Sequence, residues 1–332
     1  MSATHTTKSS RQTRTGGVLP HFAEPRFAAI WVALAAMLLV DAIFLPHSVE
    51  LSTILAVLPF AAFLAIGAAG QTLVLMTRGI DLSVPSIVSL SSVVLLGVSG
   101  AQDGRLWLAM AAALFLAMLV GTINGVLIAV LKLNALIVTL AVGSIVMGIA
   151  IAYSQSVTAI SSVPPSLAAF SSSRILGIPV DALFALVLMV VATLALRKTV
   201  IGRRFELVGT NPAAAHTIGV PVRRYQAGAY ILAGLLYGLM AILLAGFIQN
   251  PTLQIGDPYL LAPIAAAVLG GTALTGGIGS MISVSGAAMF LIQLEQSIKM
   301  LGLPSAGQMI IEGVAIALGM YLSERSGTRR RK

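Results

Sequence analysis

LSTILAVLPFAAFLAIGAAGQTLVLM, residues 51–76, holds no acidic or basic side chain from end to end. As a helix it is long enough to cross the hydrocarbon core of a bilayer, which takes about 20 residues. Runs of the same character recur on both sides of it, at roughly 27–45, 84–100, 106–131, 135–154, 180–196, 226–248, 258–274, 278–297 and 305–322, separated by short polar breaks. The expected fold is therefore all-α, a polytopic membrane protein with about ten transmembrane helices. Composition agrees: of 332 residues 58% are hydrophobic and 9% charged, with a mean hydropathy of +0.98, a balance that would not keep a soluble domain of this length in solution. The expected organisation is a tail 1–26, a membrane domain 27–322 that includes a loop 197–225, and a basic tail 323–332. The first run, Phe27 to Leu45, is full length and is not followed by a small-residue cleavage site, so it reads as a retained helix rather than a signal peptide.

The formal charge of +9 would raise the question of nucleic acid in a soluble protein. Here the basic residues sit where the apolar runs stop, so the partner they address is membrane lipid and no nucleic acid is expected. Lys8, Arg11, Arg14 and Arg26 precede the first run; Arg197, Lys198, Arg203, Arg204, Arg223 and Arg224 crowd the loop after the sixth; Arg325, Arg329, Arg330, Arg331 and Lys332 follow the last. An even number of crossings puts all three clusters, and both termini, on one face, which the positive-inside rule makes cytoplasmic. The segment 154–179, rich in serine and proline, then lies outside as a loop. Gly79-Ile80-Asp81-Leu82-Ser83 has a loose echo in Ile255-Gly256-Asp257-Pro258-Tyr259. The spans around the two cross in opposite senses, as an inverted repeat requires.

The loop from Gly202 to Val222 spells a short helix outside the membrane: Asn211 as N-cap, Pro212 at the first helical position, Ala213, Ala214 and Ala215 carrying the turn, and Gly219 in the left-handed position past the end. Such a helix suits a groove of a cytoplasmic protein, and equally a plain solvated connector. Thr77-Arg78-Gly79-Ile80-Asp81-Leu82-Ser83-Val84-Pro85-Ser86 places polar groups beside an apolar run, where they are costly unless partnered. Asp81 either caps the helix that follows or touches a ligand, and Asn124 in Gly121-Thr122-Ile123-Asn124-Gly125 reads as interhelical glue or as a ligand. Gly270-Gly271-Thr272-Ala273-Leu274-Thr275-Gly276-Gly277-Ile278-Gly279-Ser280 can break a helix at membrane depth where protein covers it. It fits neither the Walker pattern nor a dinucleotide fingerprint.

Asp41, Glu295 and Glu312 are candidate proton relays or, more plainly, hydrogen-bonding partners of neighbouring helices. His5, His21, His47 and His216 fall outside the runs and the chain has no cysteine, so no metal site and no catalytic cluster is expected.

Three stretches together resemble the permease subunits of bacterial ribose-, xylose- and galactose-type importers of the ATP-binding-cassette superfamily. Gly79 to Val84 is similar to the family's GIDLSVG signature, Gly202 to Val222 to its coupling loop, and Gly270 to Ser280 to its late glycine motif, in the family's order. Pro85, where the family has glycine, and Glu312, where a basic or neutral residue is usual, depart from it. The resemblance implies a homodimer in the bacterial inner membrane, cytoplasmic ATP-binding subunits that hold ATP and Mg and engage Asn211, Pro212, Ala213, Ala214, Ala215 and Gly219, and an extracytoplasmic sugar-binding protein. Asp81, Ser83, Asn124, Gly270, Gly271, Gly276 and Gly277 are the candidates for shaping the path. The expected function is a transport subunit, not an enzyme, with no cofactor of its own. The alternative is an ion-coupled secondary transporter that works without ATPase subunits.

Overall fold

A computed structural model describes residues 25–156 and 162–303, and positions 307, 310, 313 and 314 singly. The helices are α1 Pro25–Phe44, α2 Leu51–Met76, α3 Val84–Ser99, α4 Leu106–Gly125, α5 Ala135–Ser156, α6 Pro165–Ser172, α7 Val180–Lys198, α8 Val200–Thr210, α9 Pro212–Thr217, α10 Val222–Ile248, α11 Ala262–Leu269 and α12 Met281–Met300. A two-stranded hairpin, β1 Arg174–Ile175 and β2 Ile178–Pro179, joins α6 to α7. The all-α, polytopic architecture is as expected. The exact number of spans is not: among the described residues seven helices are long and apolar enough to cross a membrane, and two apolar ones are shorter. The tenth expected run, 305–322, and both tails lie almost wholly outside the described residues.

The two short helices have physical reasons. The run 258–274 is equally apolar throughout, but helix covers only Ala262–Leu269, because Pro258 and Pro263 restrict its start and Gly270-Gly271 end it. In α3, 16 residues rise about 24 Å, short of the ~30 Å hydrocarbon core. The helix is buried among its neighbours rather than in lipid, with Ile87, Val88 and Leu95 fully covered, and the non-helical segment 79–83 leads into it. The expected external loop also holds structure: its first residues complete α5, and α6 is pinned to the α3–α4 turn by Asp103, whose carboxylate accepts from Ser166 N at 2.9 Å and Ser166 Oγ at 2.6 Å. Those bonds hold the Asp103 carboxyl below the usual carboxylate range.

At the centre α2 and α10 run antiparallel. Gly67 abuts Met240, Gly70 lies under the Tyr237 ring, and the Phe63 and Phe247 rings meet edge-on at 5.7 Å. Around this pair the packing is symmetric: α10 touches α3 and α4, α2 touches α11 and α12, α3 packs on α4 and α11 on α12. Exchanging α2 with α10, α3 with α11 and α4 with α12 maps these packed pairs onto one another, and α2 and α10 themselves run antiparallel. That is the contact pattern of an inverted repeat. The second of the echoing segments lies against the first turn of α3, since a Cβ on Gly256 would collide with the Pro85 carbonyl oxygen. α4 and α10 meet through small residues, Gly234 against Ala117 and Gly121, Gly125 against Ala227 and Gly238 against Ala117, which lets the backbones approach where lipid supplies no hydrophobic drive.

Gly228 in α10 differs, because an added Cβ there would meet nothing within 4 Å. Gly228→Ala is expected to raise stability by up to ~1 kcal/mol through helix propensity alone, read as a higher thermal midpoint in detergent. A lower midpoint would mean that a neighbour outside this chain occupies the space.

Candidate functional site

The basic residues of the loop gather at one end of the bundle, where the last turn of α7 (Arg197, Lys198), α8, α9 and the first turn of α10 (Arg223, Arg224) come together. Thr199 caps α8 by accepting from Gly202 N at 3.2 Å. α9 forms as its sequence predicts: Asn211 Oδ1 accepts from Ala214 N at 3.0 Å and Pro212 opens the helix. Gly219 lies past the end at φ +81, donating to the His216 carbonyl at 3.0 Å while Val220 N donates to Ala215 O at 3.0 Å. Ala215 is fully buried against Val208 and Val220 and anchors the helix to its own chain. Ala213, Ala214, His216, Thr217 and Ile218 remain exposed, Ile218 at 69%. Ala215 therefore offers no surface to a partner. Ile218, at the end of the helix, presents the large apolar side chain.

Residues 79–83 run without helix or strand through the protein interior, and their backbone groups find side-chain partners on three helices, the requirement for irregular chain at membrane depth. Tyr230 Oη of α10 donates to the Ile80 carbonyl at 3.4 Å, and Thr139 Oγ1 of α5 accepts from Leu82 N at 3.1 Å. Gln71 of α2, in the amide orientation that satisfies both its ends, accepts from Asp81 N at 3.2 Å and donates to Asp81 O at 3.1 Å, with a second hydrogen directed at Tyr237 Oη at 3.0 Å. Asp81 Oδ1 accepts from Ser83 N at 2.9 Å and from Ser83 Oγ at 2.6 Å, and Asn124 Nδ2 of α4 donates to Ser83 Oγ at 2.9 Å. Asp81 and Ser83 form one buried network with Asn124, 41 positions further along the chain. The cap of α3 is Ser83, with Asp81 closing the turn before it. Pro85 sits in the first turn of α3, where its missing N–H leaves no helical bond unmade.

The glycine motif divides. Gly270 and Gly271 end α11: Gly271, at φ +87, donates to Val268 O at 2.9 Å and Thr272 N to Ala267 O at 3.0 Å. Gly276 and Gly277 lie beside the end of α2, where Gly277 N donates to Met76 O at 2.8 Å. Gly209 of α8 is wedged against both, since its Cβ would overlap Met76 O and Gly277 N. Arg78 completes this junction, donating from Nε to Gly209 O at 2.6 Å and from Nη2 to Thr210 O at 2.7 Å. The three sequence motifs thus meet within a few residues of α9. Asp41 is held by Ser297 Oγ at 2.6 Å and Gln293 Nε2 at 3.2 Å, binding α1 to α12, and Glu295 pairs with exposed Lys299. Glu312 lies outside the described residues, and among the described residues no acidic and histidine cluster could hold a metal.

Residues 53–320 match the family model described as the permease component of a branched-chain amino acid transport system. The chain belongs to this permease family. It is 31% identical over 98% of its length to a probable ABC transporter permease protein of Sinorhizobium fredii, covering 96% of that protein. The ribose import permease of Bacillus subtilis is 32% identical (89% of this chain, 92% of that protein), and the autoinducer 2 import system permease LsrD of Escherichia coli 30% (88% and 92%). No solved structure matches. The permease is thus the membrane-spanning subunit of an ATP-driven importer, a transport component rather than an enzyme and a multi-pass protein of the bacterial inner membrane. Family membership overturns the ion-coupled alternative.

Proposed function

We propose that this permease imports a sugar or sugar-like solute, that it works as a homodimer, and that cytoplasmic ATPase subunits holding ATP and Mg drive it by pulling on α9 while an extracytoplasmic binding protein delivers the solute. The observation that carries the reading is the geometry of α9: a short helix capped at both ends, fastened to α8 by buried Ala215 and open on the face of Ala213, Ala214 and Ile218. The solute class rests on the ribose permeases among its relatives; the family description names branched-chain amino acids, but ribose permeases match along nearly the whole chain. A buried acceptor of the network, Asn124 Oδ1, takes no hydrogen bond among the described residues, which suits a path that meets hydroxyl groups in another facing state. The dimer is supported by α5, whose Ser144, Gly148 and Ala152 lie exposed on one stripe of small residues.

Ala214→Arg tests the docking helix, because it adds bulk and charge to an exposed position and leaves the caps and Ala215 in place. The tagged chain purified in mild detergent is expected to bring ATP-binding subunits with it, and Ala214→Arg to lose them by about tenfold or more, the scale of a single docking hot spot. If the wild type purifies alone, or the variant keeps its ATPase, the docking role of α9 fails.

A further inference from the structure

Among the described residues α2, α9 and α11 close with the same pair of bonds, in which the residue after the cap donates to the third-last group and the next residue reaches one position further back. In α9 and α11 the left-handed position is glycine, Gly219 and Gly271. In α2 it is Arg78, at φ +68, with Arg78 N donating to Leu75 O at 2.9 Å and Gly79 N to Val74 O at 3.0 Å. A Cβ in this conformation costs free energy that glycine avoids, so the backbone alone favours glycine at 78. A topology signal needs only a positive charge near the membrane edge, without a left-handed backbone or directed bonds. What the arginine gains is its grip on α8. Gly209 O and Thr210 O are among the last carbonyls of that helix, which have no intrahelical partner and sit at the negative end of its dipole. The planar guanidinium reaches both at once. The residue after them, Asn211, caps α9, and the residues after Arg78 are the clamped segment 79–83. Gly276 lies against the base of this side chain, its Cβ position falling 2.5 Å from Arg78 Cγ, while the residue as a whole stays exposed.

We propose that Arg78 is a positioning residue that carries the movement of α9 into the Gly79–Ser83 segment, keeping rearrangement of the path in step with the partner's ATP hydrolysis. This rests on α9 being the ATPase-docking helix. The left-handed arginine ties the end of α2 and the end of α8 into one body, so a shift of the α8–α9 unit moves the start of the Asp81–Ser83–Asn124 network with it.

The test uses the complete complex, the permease with its ATPase and binding protein, reconstituted in liposomes with R78G, R78K and R78Q. R78G relieves the backbone and removes the grip; R78K keeps the charge; R78Q removes the charge and keeps a long polar chain should R78G fail to fold. For R78G and R78Q the expected result is an ATPase that still co-purifies, an unchanged or raised thermal midpoint for R78G, continued ATP hydrolysis, and a fall of about tenfold in solute moved per ATP hydrolysed, the usual scale of coupling between sites. R78K is expected to recover part of that ratio. An unchanged ratio overturns the proposal, and so does a proportional fall of uptake and hydrolysis with a lower midpoint, which a merely structural role gives. Loss of the ATPase from the R78 variants alone would make Arg78 part of the docking surface and overturn it too. A wild type that binds no ATPase would instead sink the docking role of α9 on which the proposal stands.

Discussion

Gly209→Ala, a single added methyl group, is expected to remove most of the folded permease from detergent extracts. The Cβ would overlap the Met76 carbonyl oxygen on one side and the Gly277 amide on the other, and would lie 2.7 Å from Gly277 Cα. All of these are backbone atoms of tightly packed segments, so no side chain can rotate away. Relief requires the α2 end and the glycine turn to separate, breaking the 2.8 Å bond from Gly277 N to Met76 O and loosening the Arg78 grip on α8. Overpacking costs about 1–3 kcal/mol, and a buried donor left without its acceptor about 1–3 kcal/mol more. Together these take a large share of a stability that is typically ~5–15 kcal/mol. The measurement is the monodisperse yield and thermal midpoint after size-exclusion chromatography, set beside Gly228→Ala, the same chemical change at an open site with the opposite expected sign. If the two variants behave alike, the three-way junction is not close-packed in the working protein.

Much of this fold was legible because it follows from local rules. The bilayer sets a length for apolar runs, and α2 begins and ends where its sequence reading put it. α9 was legible in detail, from Asn211 through Pro212 to Gly219, since a cap, a proline and a left-handed glycine each report on backbone within a few residues. The failures share a cause. The run 258–274 is apolar throughout, and composition alone does not separate a crossing helix from a half-helix broken by Gly270-Gly271 and covered by protein. α8 went unnoticed as a separate helix because its cap, Thr199, directly follows the last turn of α7. Ala215 looked interchangeable with Ala213 and Ala214 until Val208 and Val220 covered it. Arg78 read only as one of the polar groups beside an apolar run that need a partner, and the sequence did not show which, because its partners lie 131 and 132 positions away. The network around Asp81 was half visible: its members were named, but their meeting depends on α2, α4, α5 and α10 packing together, which no local signal reports.

That network yields the sharpest contrast between two substitutions at one position. Asp81→Leu is expected to abolish uptake and lower the thermal midpoint strongly, and Asp81→Asn to leave both close to wild type. Leucine fills similar space but accepts nothing, so Ser83 N and Ser83 Oγ lose the acceptor that holds them at 2.9 and 2.6 Å. Each buried group left unsatisfied costs about 1–3 kcal/mol, and Asn124 then donates to a hydroxyl that no longer has a fixed orientation. Asparagine keeps an oxygen at the Oδ1 position and changes only Oδ2, which takes no hydrogen bond among the described residues. Among the described residues Asp81 makes no ion pair, so a neutral amide is also cheaper to bury there than a carboxylate. Asparagine is therefore expected to stay within about 1 kcal/mol of wild type. Uptake in liposomes carrying the whole complex decides the matter: normal transport by Asp81→Asn makes the residue a clamp on the 79–83 segment, and lost transport with an unchanged thermal midpoint would mean that its charge acts on the solute itself.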